Sequence, residues 1–131
     1  MAGKKVVVVD DEADIRDVVC HLLKDCGYEA VGFGAPAEAY VRAPVLKPEL
    51  VIVDLRMPGI TGLELIPMFQ IVMPNAKYMV LSAYADRETA QDALRRGAAG
   101  VLWKPFKTKT FLDMVTRLLG EPVISWHHLS R

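Results

Sequence analysis

Apolar positions along this chain follow two alternating periods. Short continuous apolar runs at Lys5–Val9, Glu29–Gly32, Leu50–Val53, Tyr78–Leu81 and Gly100–Trp103 predict strands, several of them covered on both faces. The segments between them repeat at helical spacing. In Glu12–Cys26 the apolar residues fall at 15, 18, 19, 22 and 23, a stripe that faces a core, and Gly27 stands where a helix-ending glycine belongs. Ala35–Ala43 predicts a short, alanine-rich second helix stopped by Pro44. A third is expected from Thr61-Gly62 to about Val72, with Pro67 inside it either removing a backbone bond or marking a late start. Asp86 is placed to cap a fourth helix, Arg87–Arg96, which Gly97 ends, and a fifth, Thr108–Leu119, is closed by Gly120.

Strand and helix thus alternate throughout, which predicts an α/β fold whose parallel sheet has helices on both faces. Right-handed crossovers leave few arrangements for five strands. The flavodoxin-like, doubly wound five-stranded parallel sheet with strand order 2-1-3-4-5 and five helices is the one that suits. A ligand site is then expected outside the carboxyl ends of the first and third strands, where the winding reverses.

Composition narrows this picture without redirecting it. The chain has 131 residues, which is one domain with a sizeable core: residues 1–120 form the domain, and 121–131 are a tail or the start of a linker. Sixteen Lys and Arg balance sixteen Asp and Glu, so no net positive field favours direct nucleic-acid or membrane binding. Cys20 and Cys26, on different faces of one helical segment, read as reduced packing thiols. The opening residues carry no export signal and no apolar run reaches membrane-span length, so a soluble, cytoplasmic protein is expected.

The chemistry lies at the strand ends. The first strand runs into Asp10-Asp11, the third into Asp54, the fourth into Ser82 and the fifth into Lys104-Pro105, and the topology makes these neighbours. Three carboxylates in one crevice repel one another, and one lysine does not balance them. A divalent cation would, and an all-oxygen site favours Mg2+. Taken singly, each residue has an ordinary explanation: Asp10-Asp11 as a helix cap, Asp54 as a surface acid, Ser82 as a turn residue, Lys104 as a solvated strand end. Their coincidence at four strand ends weighs against all of these together.

With those residues in place, DDE after the first strand, DLRMPGITGLEL around Asp54, LSA at the fourth strand and KPF at the fifth resemble the response-regulator receiver domain of two-component signalling, a CheY-like fold. The resemblance extends from Lys4 to about Leu119. It implies that Asp54 is the phosphoacceptor, a carboxylate nucleophile that takes a phosphoryl group from a sensor histidine kinase or a phosphotransfer protein in a phosphorelay and becomes an aspartyl phosphate. It implies Mg2+ held by Asp10, Asp11, Asp54 and the Arg56 backbone carbonyl. Lys104 resembles the lysine that pairs with Asp54 and then with a phosphoryl oxygen, Ser82 the hydroxyl that bonds the phosphoryl group, and Lys104-Pro105 a cis peptide. Such a domain is a switch, not an enzyme on a separate substrate, though it promotes its own phosphorylation and dephosphorylation. Its output to a fused domain or downstream protein would pass through the fourth helix, fifth strand and fifth helix, as a monomer or a phosphorylation-dependent dimer.

One position departs from the pattern. Receivers usually carry Tyr or Phe three residues before the lysine, and here it is Val101. Trp103, on the same strand face, offers a substitute ring. Arg56 and Tyr84 match positions that tune phosphoryl lifetime, and their bulk suggests slow hydrolysis. Two rivals use a similar scaffold. A haloacid-dehalogenase-like phosphatase needs an acid two residues after its nucleophile, where Arg56 stands, and a flavodoxin-type cofactor carrier needs a phosphate-cradling loop where Asp10-Asp11 would repel the phosphate. His21, His127 and His128 read as surface residues.

Overall fold

The computed structural model describes residues 4–57, 59–83 and 86–120. Tyr84, His127, His128 and the 121–131 tail therefore lie outside the described residues. The elements are β1 (Lys5–Val9), α1 (Ala13–Asp25), β2 (Glu29–Phe33), α2 (Pro36–Leu46), β3 (Leu50–Asp54), α3 (Gly62–Val72), β4 (Lys77–Ser82), α4 (Arg87–Arg95), β5 (Gly100–Trp103) and α5 (Thr108–Leu119). All strand pairs are parallel and the sheet order is β2-β1-β3-β4-β5, as predicted.

The pleat sends alternate residues of each strand to opposite faces, and each face has its own core. Val6, Val8, Leu50, Ile52 and Met79 pack under α1 and α5, against Val19, Leu23, Phe111 and Val115. Val7, Val9, Val51, Val53 and Val80 pack under α2, α3 and α4, against Ala39, Leu65, Phe69 and Ala93. Every residue of β3 is buried, because this central strand is covered on both sides. It therefore delivers its last residue, Asp54, into the interior of the sheet's carboxyl edge.

The second helix corrects the sequence reading. Pro44 does not stop α2 but lies within it, and the helix runs on to Leu46. A proline there lacks one N–H in the last turn, where few bonds remain to be lost. The helix ends instead at Lys47, whose backbone adopts the left-handed conformation (φ 52°) while its N–H bonds the Pro44 carbonyl at 3.2 Å. At the other end Pro36, at the first helical position, sets the start. Pro67 likewise sits inside α3, which begins at Gly62 through a capping box: Thr61 Oγ1 accepts from the Glu64 N–H, and the Glu64 carboxylate accepts from the Thr61 N–H. Pro67 has no N–H to give the Leu63 carbonyl, and the Arg96 guanidinium, at the end of α4, donates to that oxygen at 3.3 Å.

The start of α3 presses on the strand end that carries Asp54. A Cβ added at Gly62 would lie 2.8 Å from the Asp54 carbonyl oxygen and 3.1 Å from Leu55 Cα, both backbone atoms with little freedom to yield. Gly62→Ala should therefore lower stability by about 1–3 kcal/mol. Chemical denaturation measures this, and an unchanged midpoint would show that α3 can retreat freely.

Candidate functional site

The carboxyl edge of the sheet gathers buried polar groups where β1, β3 and β4 end: Asp10, Asp54 and Ser82 are the buried polar residues among those described. Asp10 follows β1, with its N–H bonded to the Phe33 carbonyl across the sheet. Asp54 and Ser82 are the last residues of their strands, and Ser82 is paired in register with Trp103. Lys104 follows β5, its N–H bonded to the Ser82 carbonyl at 2.6 Å, and the Lys104-Pro105 peptide is cis.

The Lys104 ammonium joins the elements. Its Nζ donates to Asp54 Oδ2 at 3.1 Å and to Asp10 Oδ2 at 3.2 Å, and lies 3.6 Å from Glu12 Oε1. The other oxygens of the two aspartates accept from backbone: Asp54 Oδ1 from the Arg56 N–H at 3.2 Å, and Asp10 Oδ1 from the Glu12 N–H at 3.0 Å. Asp10 thus holds the turn ahead of α1 with one oxygen and faces the site with the other; it does not cap the helix, whose N-cap is Glu12 with no side-chain cap bond. The Arg16 guanidinium fixes this corner by donating to the Asp10 carbonyl at 2.7 Å.

Burial pushes the Asp54 carboxyl up to about 6, with the Asp10 charge adding to the rise; the Arg56 N–H and Lys104 oppose it. Burial alone would lower the Lys104 ammonium, but the charges of Asp10 and Asp54 outweigh it, so Lys104 is raised and remains a cation. One buried cation between two buried carboxylates leaves the site short of positive charge.

Asp10, Glu12 and Asp54 can each direct one carboxylate oxygen so that the three lie within 4.8 Å of one another. Such a set of hard oxygen donors, deficient in positive charge, fits Mg2+. Asp11 is not in this group; it is exposed, while Glu12 turns back toward Lys104. Glu12 was given no role in the sequence reading. The available signal was its place two residues beyond a buried Asp, at the N-cap of α1, where an extended backbone lets the chain double back.

The remaining candidates fall where strand alternation sends them. Val101 packs into the core under α4, Leu102 into the core under α5, and Trp103 is half-buried, in neither cluster. His21 is an exposed residue paired with Asp25 at 3.2 Å. No helix among the described residues is long and apolar enough to cross a membrane.

Known proteins are similar to this chain in sequence and fold. The chain is 31% identical over 117 residues to the chemotaxis protein CheY of Thermotoga maritima, an alignment covering 88% of this chain and 98% of that protein. It is 35% identical to the response regulator protein FleR of Pseudomonas aeruginosa, covering 86% of this chain but only 24% of FleR. The crystal structure of chemotaxis protein CheY4 from Vibrio cholerae superposes with a TM-score of 0.85 at 32% identity, covering 90% of this chain and all of that one. These matches lend no support to a dehalogenase-like phosphatase or a flavodoxin-type carrier. Residues 6–116 match the family model described as the response regulator receiver domain, and with the strand order and strand-end groups above this places the chain in the receiver family, the phosphoacceptor switches of two-component signalling.

Proposed function

We propose that Asp54 is the phosphoacceptor and that Asp10 and the Arg56 carbonyl join it in holding Mg2+, with the exposed Asp11 turning inward to complete the set. The observation that carries this is the buried Asp10–Lys104–Asp54 bridge at the end of the central strand. An Asp54 oxygen attacks phosphorus, the bond from phosphorus to the donor's nitrogen or oxygen breaks, and the donor leaves with that electron pair. Bound Mg2+ would supply charge neutralisation of the transferring group. Lys104 keeps Asp54 oriented beforehand and moves its donor to a phosphoryl oxygen afterwards, and Ser82, on the neighbouring strand, donates its hydroxyl to another.

The natural donor on this reading is a phosphohistidine of a sensor kinase or phosphotransfer protein, in the cytoplasm. Residues 1–120 constitute the receiver, 121–131 a tail or linker, and output runs through α4, β5 and α5. That FleR is about four times longer than the matched region is consistent with a receiver that serves a larger regulator in some settings. Incubation with acetyl phosphate should give an adduct of phosphate mass only when Mg2+ is present, and Asp54→Asn should remove it. Intact-mass measurement is the test, and an adduct surviving on the Asn variant would overturn the assignment.

Switching has its own readout. Leu94 on α4 is exposed and Ala93 is the only buried residue of that helix, so α4 is held by little apolar area. Beryllofluoride, a phosphoryl mimic, added with Mg2+ should change amide exchange in Arg87–Arg95 and, with Trp126→Phe removing the other indole, the emission of Trp103, and Ser82→Ala should suppress both. Exchange and emission indifferent to the mimic would place the output elsewhere.

A further inference from the structure

The open flank of the site is acidic. A groove of about 670 Å3 runs along α1 beside Lys104, lined by Glu12, Asp14, Ile15, Val18 and Phe106 among others. Asp10 and Asp54 are buried beneath Lys104, but the Glu12 side chain is 59% exposed while still only 3.6 Å from the ammonium. Of the exposed carboxylates on this side, Asp11 and Asp14 included, it is the one within ion-pair distance of the Lys104 ammonium. Its backbone is fixed at the N-cap of α1 by the bond to Asp10 Oδ1 and by its own carbonyl, which accepts from the Arg16 N–H at 3.0 Å. The charge therefore stays at the entrance even when the side chain lets go of Lys104.

We propose that Glu12 is a specificity-determining residue: its carboxylate filters phosphodonors by charge, slowing free dianionic donors more than donors of lower charge. This rests on Asp54 being the acceptor. A unit charge acts on a dianion twice as strongly as on a monoanion at the same distance, so its removal changes their relative rates as well as their absolute ones. Glu12 also competes with the phosphoryl group for Lys104. That competition burdens every donor alike, because each delivers the same group to the same oxygen, so the ratio of rates isolates the filter.

Acetyl phosphate and phosphoramidate make the comparison. Near neutral pH the first is a dianion and the second a monoanion; Asp54 takes the phosphoryl group from both, releasing acetate from one and, with a proton on the nitrogen, ammonia from the other. In Glu12→Gln the ratio of the acetyl phosphate rate constant to that of phosphoramidate should rise about 3- to 10-fold at low ionic strength, and the gain should shrink with added salt. Glu38→Gln, which removes the same charge from an exposed position on α2, should leave the ratio unchanged. A ratio unmoved in Glu12→Gln, an equal rise in Glu38→Gln, or both donors changing by one common factor would overturn the filter. An adduct that persists when Asp54→Asn is combined with Glu12→Gln would instead overturn the acceptor assignment, and the filter with it.

Discussion

Metal-free protein should become less stable by about 3 kcal/mol as the pH rises from about 4 to above about 6, through Asp54 alone. The folded Asp54 carboxyl holds its proton up to about 6, against an ordinary value of 3.8. Between those values the unfolded chain releases the proton while the folded chain keeps it, so the folded state loses ground as pH rises. The full benefit is present below the ordinary value and is gone above the raised one. Asp54→Asn, which stays neutral, should therefore be the more stable protein at neutral pH by up to about 3 kcal/mol, and the two should converge in acid. Mg2+ should narrow the gap from the other side by stabilising the wild type more than the variant, which has lost one of the carboxylates that hold the ion. Urea titrations of both proteins across this range, with and without Mg2+, check it; parallel pH profiles would mean that Asp54 is no more protonated when folded than when unfolded.

Lys104→Met is expected to be the most damaging single change at the site. It removes the cation that Asp10 and Asp54 share, with the lysine side chain 10% exposed and the two carboxylates nearly sealed. Breaking a buried ion pair from one side costs about 3–5 kcal/mol, since the carboxylates remain buried without their partner. The loss should be smaller near pH 5, where Asp54 escapes by keeping a proton, and Mg2+ should restore part of it by replacing the missing charge. The same denaturation series reads this, and a variant as stable as wild type in metal-free buffer at neutral pH would show that the carboxylates do not depend on Lys104.

The skeleton of this site was legible because a parallel sheet writes itself plainly. Strands buried on both faces have no polar alternation, so the first acid after Val6–Val9 or Leu50–Val53 marks the edge where the chain leaves the core. Asp10 and Asp54 followed from that rule, and Ser82 and Lys104 from standing at the ends of the two strands beside them. What was not legible depends on where a side chain turns once the backbone is free of the sheet. Asp11 and Glu12 are both acids in one short turn; only the φ and ψ of Glu12 decide that the second swings back over Lys104 while the first faces outward. Pro44 misled for a related reason. Proline's cost in a helix depends on how many bonds remain to be broken, and that requires knowing where the helix would have ended without it.

Pro67 frees an oxygen on α3, and Arg96, the residue that ends α4, takes it. Beside that contact, Gly97 turns the chain at φ 113° against Gln70, which a Cβ at that position would overlap. One end of α4 is thereby hinged to its neighbour, while the other, at Asp86 and Thr89, borders an open groove that also includes Arg56. Held at its Arg96 end by a contact that reaches α3, and capped at the other only within its own first turn by Asp86, the helix has unequal ends. Cutting the Arg96 tie to the Leu63 carbonyl, by Arg96→Ala, should therefore loosen the α3–α4 seam while leaving the Asp86 cap intact, so the two ends of one short helix answer to different residues.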